Sequence, residues 1–188
     1  PTARQLRADL NSGGSTFCGD CPLKLPLGPD DAVPQRDVTV CPRPSRPYIE
    51  CTATNNNSCF LSCCAPETGI TRTRQAGMLD WDVFTRAVDE AGPSLVRIDF
   101  FNYGEAFLHK RAVEMCEYIK AKFPHIYLYT STNGLALTEE SARRLVRSGI
   151  DEVTFSIDGV SQETYARYRQ RGRLDVALAN LRAMTDEK

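Results

Sequence analysis

Short apolar runs alternate with longer amphipathic stretches along most of the chain. The runs at 48–52, 95–101, 126–131 and 152–157 are rich in β-branched and aromatic residues, and each reads as a strand. The stretches between them carry apolar residues at helical spacing. Asp80 is placed to cap a helix over 80–90, with Phe84, Ala87 and Val88 on one face and Gly92-Pro93 as its stop. Leu108, Ala112, Met115, Cys116 and Ile119 form a second stripe before Pro124. A third helix starts at Thr138. Glu139 and Glu140 lie in its first turn, Arg143, Arg144 and Arg147 follow, and Gly149 ends it, an order that suits the helix dipole. Leu174, Ala177, Leu178, Leu181 and Met184 make one more stripe. Strand–helix alternation at this spacing predicts an α/β fold with a parallel sheet and right-handed crossovers.

The first 46 residues break this pattern. They are rich in Pro, Gly and Asp, and Asn11-Ser12-Gly13-Gly14-Ser15 and Leu27-Gly28-Pro29-Asp30-Asp31 read as turns. The organisation expected is a loop-rich, Cys-containing segment over 1–46 followed by the α/β part over 47–188. At 188 residues such a chain can bury about 70% of its unfolded surface. Its 23 basic and 24 acidic side chains give a net charge of −1, so charge gives no reason to expect nucleic acid or an anionic membrane as partner. No apolar run approaches the ~20 residues of a membrane-spanning helix, and 1–10 lacks the apolar centre of a signal peptide. The expected compartment is the cytoplasm, where thiols stay reduced. The 8 cysteines then read as metal ligands and core residues before disulfides.

Function in parallel α/β sheets collects in the loops at the carboxyl ends of the strands. After the first strand comes Cys59-Phe60-Leu61-Ser62-Cys63-Cys64, three thiols within six residues. A loop can wrap a soft metal centre there while the strand stays rigid. After the second comes Asn102-Tyr103-Gly104-Glu105-Ala106, after the third Thr132-Asn133-Gly134, and the fourth closes with Ser156-Ile157-Asp158-Gly159. Each motif alone is an ordinary turn; their recurrence on one rim is the signal. A second metal site is open at Cys18-Gly19-Asp20-Cys21 with Cys41, as zinc or an iron–sulfur cluster, against a cap whose cysteines are merely close.

In this order and spacing the motifs resemble the radical S-adenosylmethionine enzymes. These carry a Cys-x-x-x-Cys-x-x-Cys loop after the first strand, a Gly-Gly-Glu-Pro-like motif after the second, and often Thr-Asn-Gly and Ser-Ile-Asp-Gly types after the third and fourth. The likeness covers about 47–185. Tyr165-Ala166-Arg167-Tyr168-Arg169 and the stripe over 174–184 resemble the SPASM-type branch, whose members carry extra clusters and often modify peptides. The resemblance implies a partial (β/α) barrel, four strands of the usual six units. It also implies a [4Fe–4S] cluster on Cys59, Cys63 and Cys64, with one iron left to S-adenosylmethionine. One electron, from a donor such as flavodoxin or ferredoxin, then cleaves that cofactor, and a 5′-deoxyadenosyl radical abstracts hydrogen from an unidentified substrate, a peptide among the candidates. By the same resemblance Tyr103, Gly104, Glu105, Ala106, Asn133, Ser156 and Asp158 bind the cofactor.

The chain departs from the pattern where the third cysteine would fall, at Pro66. Cys64 in a tightened loop takes its place in this reading, with Cys51 in reserve. Ala106 standing for Pro is a milder change. Other residues have simpler explanations: Glu105 as a helix cap, Asp158 as a turn former, His109 as a first-turn residue and Cys116 as core. Tyr165, Tyr168 and Arg169 either reach substrate or occupy a half-exposed helix face. The rival from another class is a non-catalytic α/β module that binds zinc or an iron–sulfur cluster. With only His109 and His125 as histidines and no P-loop or Gly-x-Ser-x-Gly, an ordinary small-molecule enzyme has little support.

Overall fold

The computed structural model describes residues 43–59 and 76–188. The chain divides into the units Pro1–Arg43 and Pro44–Lys188, and the fold that follows is that of the second.

Three parallel strands form its centre: β2 (Arg97–Asp99), β3 (Tyr127–Thr132) and β4 (Glu152–Phe155), in the order β2-β3-β4. Ile98 lies beside Leu128, and Thr130 beside Val153. The predicted strand at 48–52 runs along β2 as a broken ladder. Ile49 donates to Asp99 O at 2.9 Å, Asp99 donates to Pro47 O at 3.1 Å, and Tyr48 and Asp99 form a parallel bridge. Pro47 has no N–H to give a sheet. At Cys51 the segment changes partner, with Leu79 N on Cys51 O and Ala53 N on Gly77 O.

Among the described residues five helices form: α1 (Trp81–Ala91), α2 (Ala112–Lys122), α3 (Glu139–Arg147), α4 (Gln162–Tyr168) and α5 (Leu174–Glu187), all but α4 on the expected stripes. Asp80 caps α1 through the N–H groups of Asp82 and Val83. Thr138 and Ser141 cap α3 reciprocally, an arrangement typically worth about 1 kcal/mol. The second stripe begins later than its apolar residues suggest. Ala106–Leu108 is a tight 3-10 turn, and the α-helix proper starts only at Ala112. The helices cover one sheet face, where Ile98, Phe100, Met115, Cys116, Ile119, Leu128 and Leu145 are almost wholly buried. The other face carries Arg97, stacked on the Tyr127 and Tyr129 rings, together with Tyr127 and Thr154. It stays partly open to solvent, as the inner wall of an unclosed barrel does.

A two-stranded antiparallel ladder, absent from the sequence reading, joins β1 (Ser58–Cys59) to β5 (Arg169–Gln170). It corrects the picture of Tyr165, Tyr168 and Arg169 as one half-exposed helix face. Tyr165 is fully buried, and Arg169 lies beyond the last turn of α4, facing Cys59 across the ladder. No helix among the described residues is long and apolar enough to cross a membrane.

Candidate functional site

The loops at the carboxyl ends of the strands are stitched together by buried polar side chains. Glu50 projects from the first extended segment, and its Oε1 accepts the N–H groups of Tyr103 and Gly104, both at 2.9 Å. Glu105 N donates to Thr54 O at 2.8 Å, and the Asn55 amide donates to Tyr103 O at 3.2 Å. Because Glu50 takes the two N–H groups, what loop 103–104 keeps for a ligand is carbonyl oxygen, and Tyr103 O already accepts the Asn55 amide. Gly104 is dictated by this closeness. A Cβ there would sit 1.8 Å from the Thr52 carbonyl oxygen.

Glu105 then ties this loop to the next. Its carboxylate accepts Thr132 Oγ1 at 2.7 Å, Asn133 N at 2.8 Å and Phe107 N at 3.3 Å. The last bond caps the 3-10 turn, so Glu105 is both cap and loop tie. Burial pushes this carboxyl up, and the three donors pull it back only in part. Asn133 donates to Asn56 Oδ1 at 2.7 Å and folds its own oxygen onto Leu135 N. Gly134 follows at φ +74°, a conformation cheap only for glycine. Asn180 of α5 holds the loop from behind through Gly134 O and Leu137 O, at 2.8 and 2.9 Å. Ser131 and Ser156 hydroxyls meet at 3.3 Å across β3 and β4.

These loops surround a cavity of about 230 Å³ whose wall includes Cys59, Tyr103, Gly104, Glu105, Asn133 and Ser156. Two other expected residues stand outside it. Ala106 is buried beneath, where its carbonyl accepts the Cys51 thiol at 3.3 Å. Asp158 reaches the wall only through Arg169, its Oδ2 2.6 Å from Arg169 Nε. Arg169 Nη1 in turn lies 3.4 Å from Cys59 Sγ. Cys63 and Cys64, like Cys18, Cys21 and Cys41, fall outside the described residues. Cys51, the reserve ligand, sits in the apolar core, where burial pushes its thiol up to about 12; a thiol so placed resists becoming the thiolate that binds metal. His109 is structural. Nδ1 accepts Arg111 N at 3.1 Å, which makes Nε2 the donor to Leu79 O at 3.0 Å. Cys116 is core, as expected.

Sequence reasoning missed Glu50, Asn55, Asn56, Asn180 and the placement of Arg169. The one signal for the first three was their position: an acid inside an apolar run, and an Asn triplet directly before a cysteine loop. Asn180 is indistinguishable in sequence from a polar residue on a helix surface.

The residues fit the group that the cysteine loop implies. Backbone carbonyl oxygens along 103–104, beside the one carboxylate of Glu105, suit an ammonium group. The cavity, below the ~300 Å³ of a drug-sized site, suits an amino-acid moiety.

The model of the radical SAM superfamily matches residues 56–188. A GTP 3′,8-cyclase of Rhodococcus opacus (strain B4) is 33% identical over 128 residues, 66% of this chain and 36% of the relative. Among solved structures, methylornithine synthase (PylB) superposes with a TM-score of 0.54 at 15% identity, over 76% of this chain and 41% of that one. BtrN, in complex with AdoMet and 2-DOIA, gives 0.50 at 20% identity, over 68% and 53%. Both structures share the fold, that of a partial barrel. The chain spans 36% of the length of the curated relative. With the match running from just before Cys59 to its last residue, the chain belongs to the radical SAM superfamily, whose members work with a [4Fe–4S] cluster and S-adenosylmethionine.

Proposed function

We propose that this chain is the cofactor-binding part of an enzyme that cleaves S-adenosylmethionine reductively and takes a hydrogen atom from its substrate. Cys59, Cys63 and Cys64 hold the [4Fe–4S] cluster. The carbonyls along Tyr103 and Gly104, beside Glu105, receive the amino group of the methionyl half, and Asn133 and Ser156 complete its polar surroundings, with Asp158 acting at one remove through Arg169 and Ala106 fixing the loop from below. When bound, cluster and cofactor together supply one-electron cleavage of the sulfonium and a carbon-centred radical. The chain's own residues bind, orient and exclude water. Glu50 and Glu105 lock the loops in place beforehand, so little ordering is left to occur on binding.

The observation that supports this most is the convergence of four separate loops, with Cys59 among them, on one polar cavity. Its test is anaerobic reconstitution with iron and sulfide, followed by Mössbauer and paramagnetic resonance spectra with and without S-adenosylmethionine. A [4Fe–4S] signal that shifts with the cofactor and is lost in Cys59→Ala is expected. Repeating the measurement with Cys64→Ala assigns the third ligand. Zinc retained in place of a cluster would leave the non-catalytic metal module instead.

The reaction also needs a low-potential electron donor, a flavodoxin or ferredoxin in this reading. For the substrate, a peptide stands beside a purine nucleotide, the latter because the Rhodococcus relative is a GTP 3′,8-cyclase. Faster cofactor cleavage with GTP than with peptides would select the nucleotide.

A further inference from the structure

Among the described residues Arg169 is the one cationic side chain in the cavity wall, and its position is fixed from three sides. The ladder between β1 and β5 sets its Cα directly opposite that of Cys59. Asp158 holds Nε at 2.6 Å, and the Tyr168 ring lies 5.4 Å from the guanidinium carbon. The remaining arm, Nη1, is directed at Cys59 Sγ at 3.4 Å, and only 17% of the side chain is exposed. A planar fork clamped at one edge presents the other edge without further loss of rotamer freedom.

We infer that Arg169 is a positioning residue that sets the reduction potential of the cluster held through Cys59, with Asp158 moderating its effect. The inference rests on the reading of Cys59 as a cluster ligand. Hydrogen bonds to ligating sulfurs and the net charge beside them are among the protein's means of tuning such a potential. Reduction adds one electron, from a low-potential donor, to a site already rich in negative charge. A fixed cation donating to one of its sulfurs stabilises the reduced form more than the oxidised one. No proton is transferred, because the guanidinium stays charged throughout.

The charges predict shifts of opposite sign. Arg169→Gln removes the cation and moves the midpoint potential to more negative values. Arg169→Lys keeps the charge but loses the forked reach, and moves it less in the same direction. Asp158→Asn removes the counter-charge and moves the potential to more positive values. Arg167→Gln, on an exposed side chain paired with Glu163, leaves it unchanged.

The experiment is a redox titration of the reconstituted full chain without S-adenosylmethionine, monitored by paramagnetic resonance, with iron and sulfide content measured first. Equal potentials in wild type and Arg169→Gln at full cluster content would overturn the inference, as would Arg169→Gln and Asp158→Asn shifting the same way. Cluster loss in both Arg169 variants, with wild type loaded, would also overturn it, since the residue would then build the site and not tune it. If Cys59→Ala loads as wild type does, the ligand reading itself fails, and cluster content shows this before any potential is measured.

Discussion

The site owes its shape to single residues whose replacement has a calculable consequence. Gly104 lies against the Thr52 carbonyl with no space for a methyl group. Gly104→Ala must push apart the two segments that Glu50 joins. We expect a loss at the upper end of overpacking costs, about 3 kcal/mol, read from urea unfolding midpoints. Gly77→Ala, where nothing lies within 4 Å of the added carbon, should be close to neutral and serves as the control. Asp99 gives a pH test. Burial alone would raise its carboxyl, but hydrogen bonds from Arg46 and Arg97 outweigh that and hold it below the ordinary aspartate range. A depressed acid contributes stability that is present above its unfolded value, about 3.9, and is lost as pH falls through the folded value. The stability advantage of wild type over Asp99→Asn should therefore shrink below about pH 4, measured by thermal unfolding across a pH series.

Among elements, those with a period and a cap were legible. α1 starts where Asp80 predicts and α3 where Thr138 predicts, since the side chain that ends each run of free N–H groups is local in sequence. The 3-10 turn at Ala106–Leu108 was not, because Leu108 shares the apolar spacing of the helix behind it. β1 and β5 were not either. Two residues have no period, and their pairing joins segments that nothing local relates. Asn180 shows how an element supports the site from a distance. Its amide satisfies two buried carbonyls of the loop that carries Asn133. Asn180→Ala leaves both without partners, at an expected cost of about 1–3 kcal/mol. Hydrogen exchange should show faster amides in 133–137 while β2 stays protected.

For the whole molecule, the loops that form the site were readable as a set of strand ends. Which of their residues line the cavity was not. Ala106 and Asp158 belong to the right motifs yet stand back from the wall, a distinction set by backbone direction at each strand end. Glu50 and Asn180 enter only through tertiary contact. If the cavity takes S-adenosylmethionine as proposed, ligand and fold are thermodynamically linked. At a concentration a hundred times Kd, the cofactor should stabilise the reconstituted chain by about 2.7 kcal/mol, seen as a rise in Tm. In Gly104→Ala, with the carbonyl edge displaced, the rise should disappear even after correcting for the lower starting Tm.

The contact between Arg169 and Cys59 spans 110 residues of chain. At synthesis rates of roughly 5–20 residues per second, the cysteine leaves the ribosome on the order of ten seconds before the strand that pairs with it. For that interval the thiol is without its ladder and its cation, open to stray metal and oxidant. If Cys59 ligates a cluster as proposed, insertion into the tuned site follows translation of α4, and a cell would gain by delaying iron delivery until then.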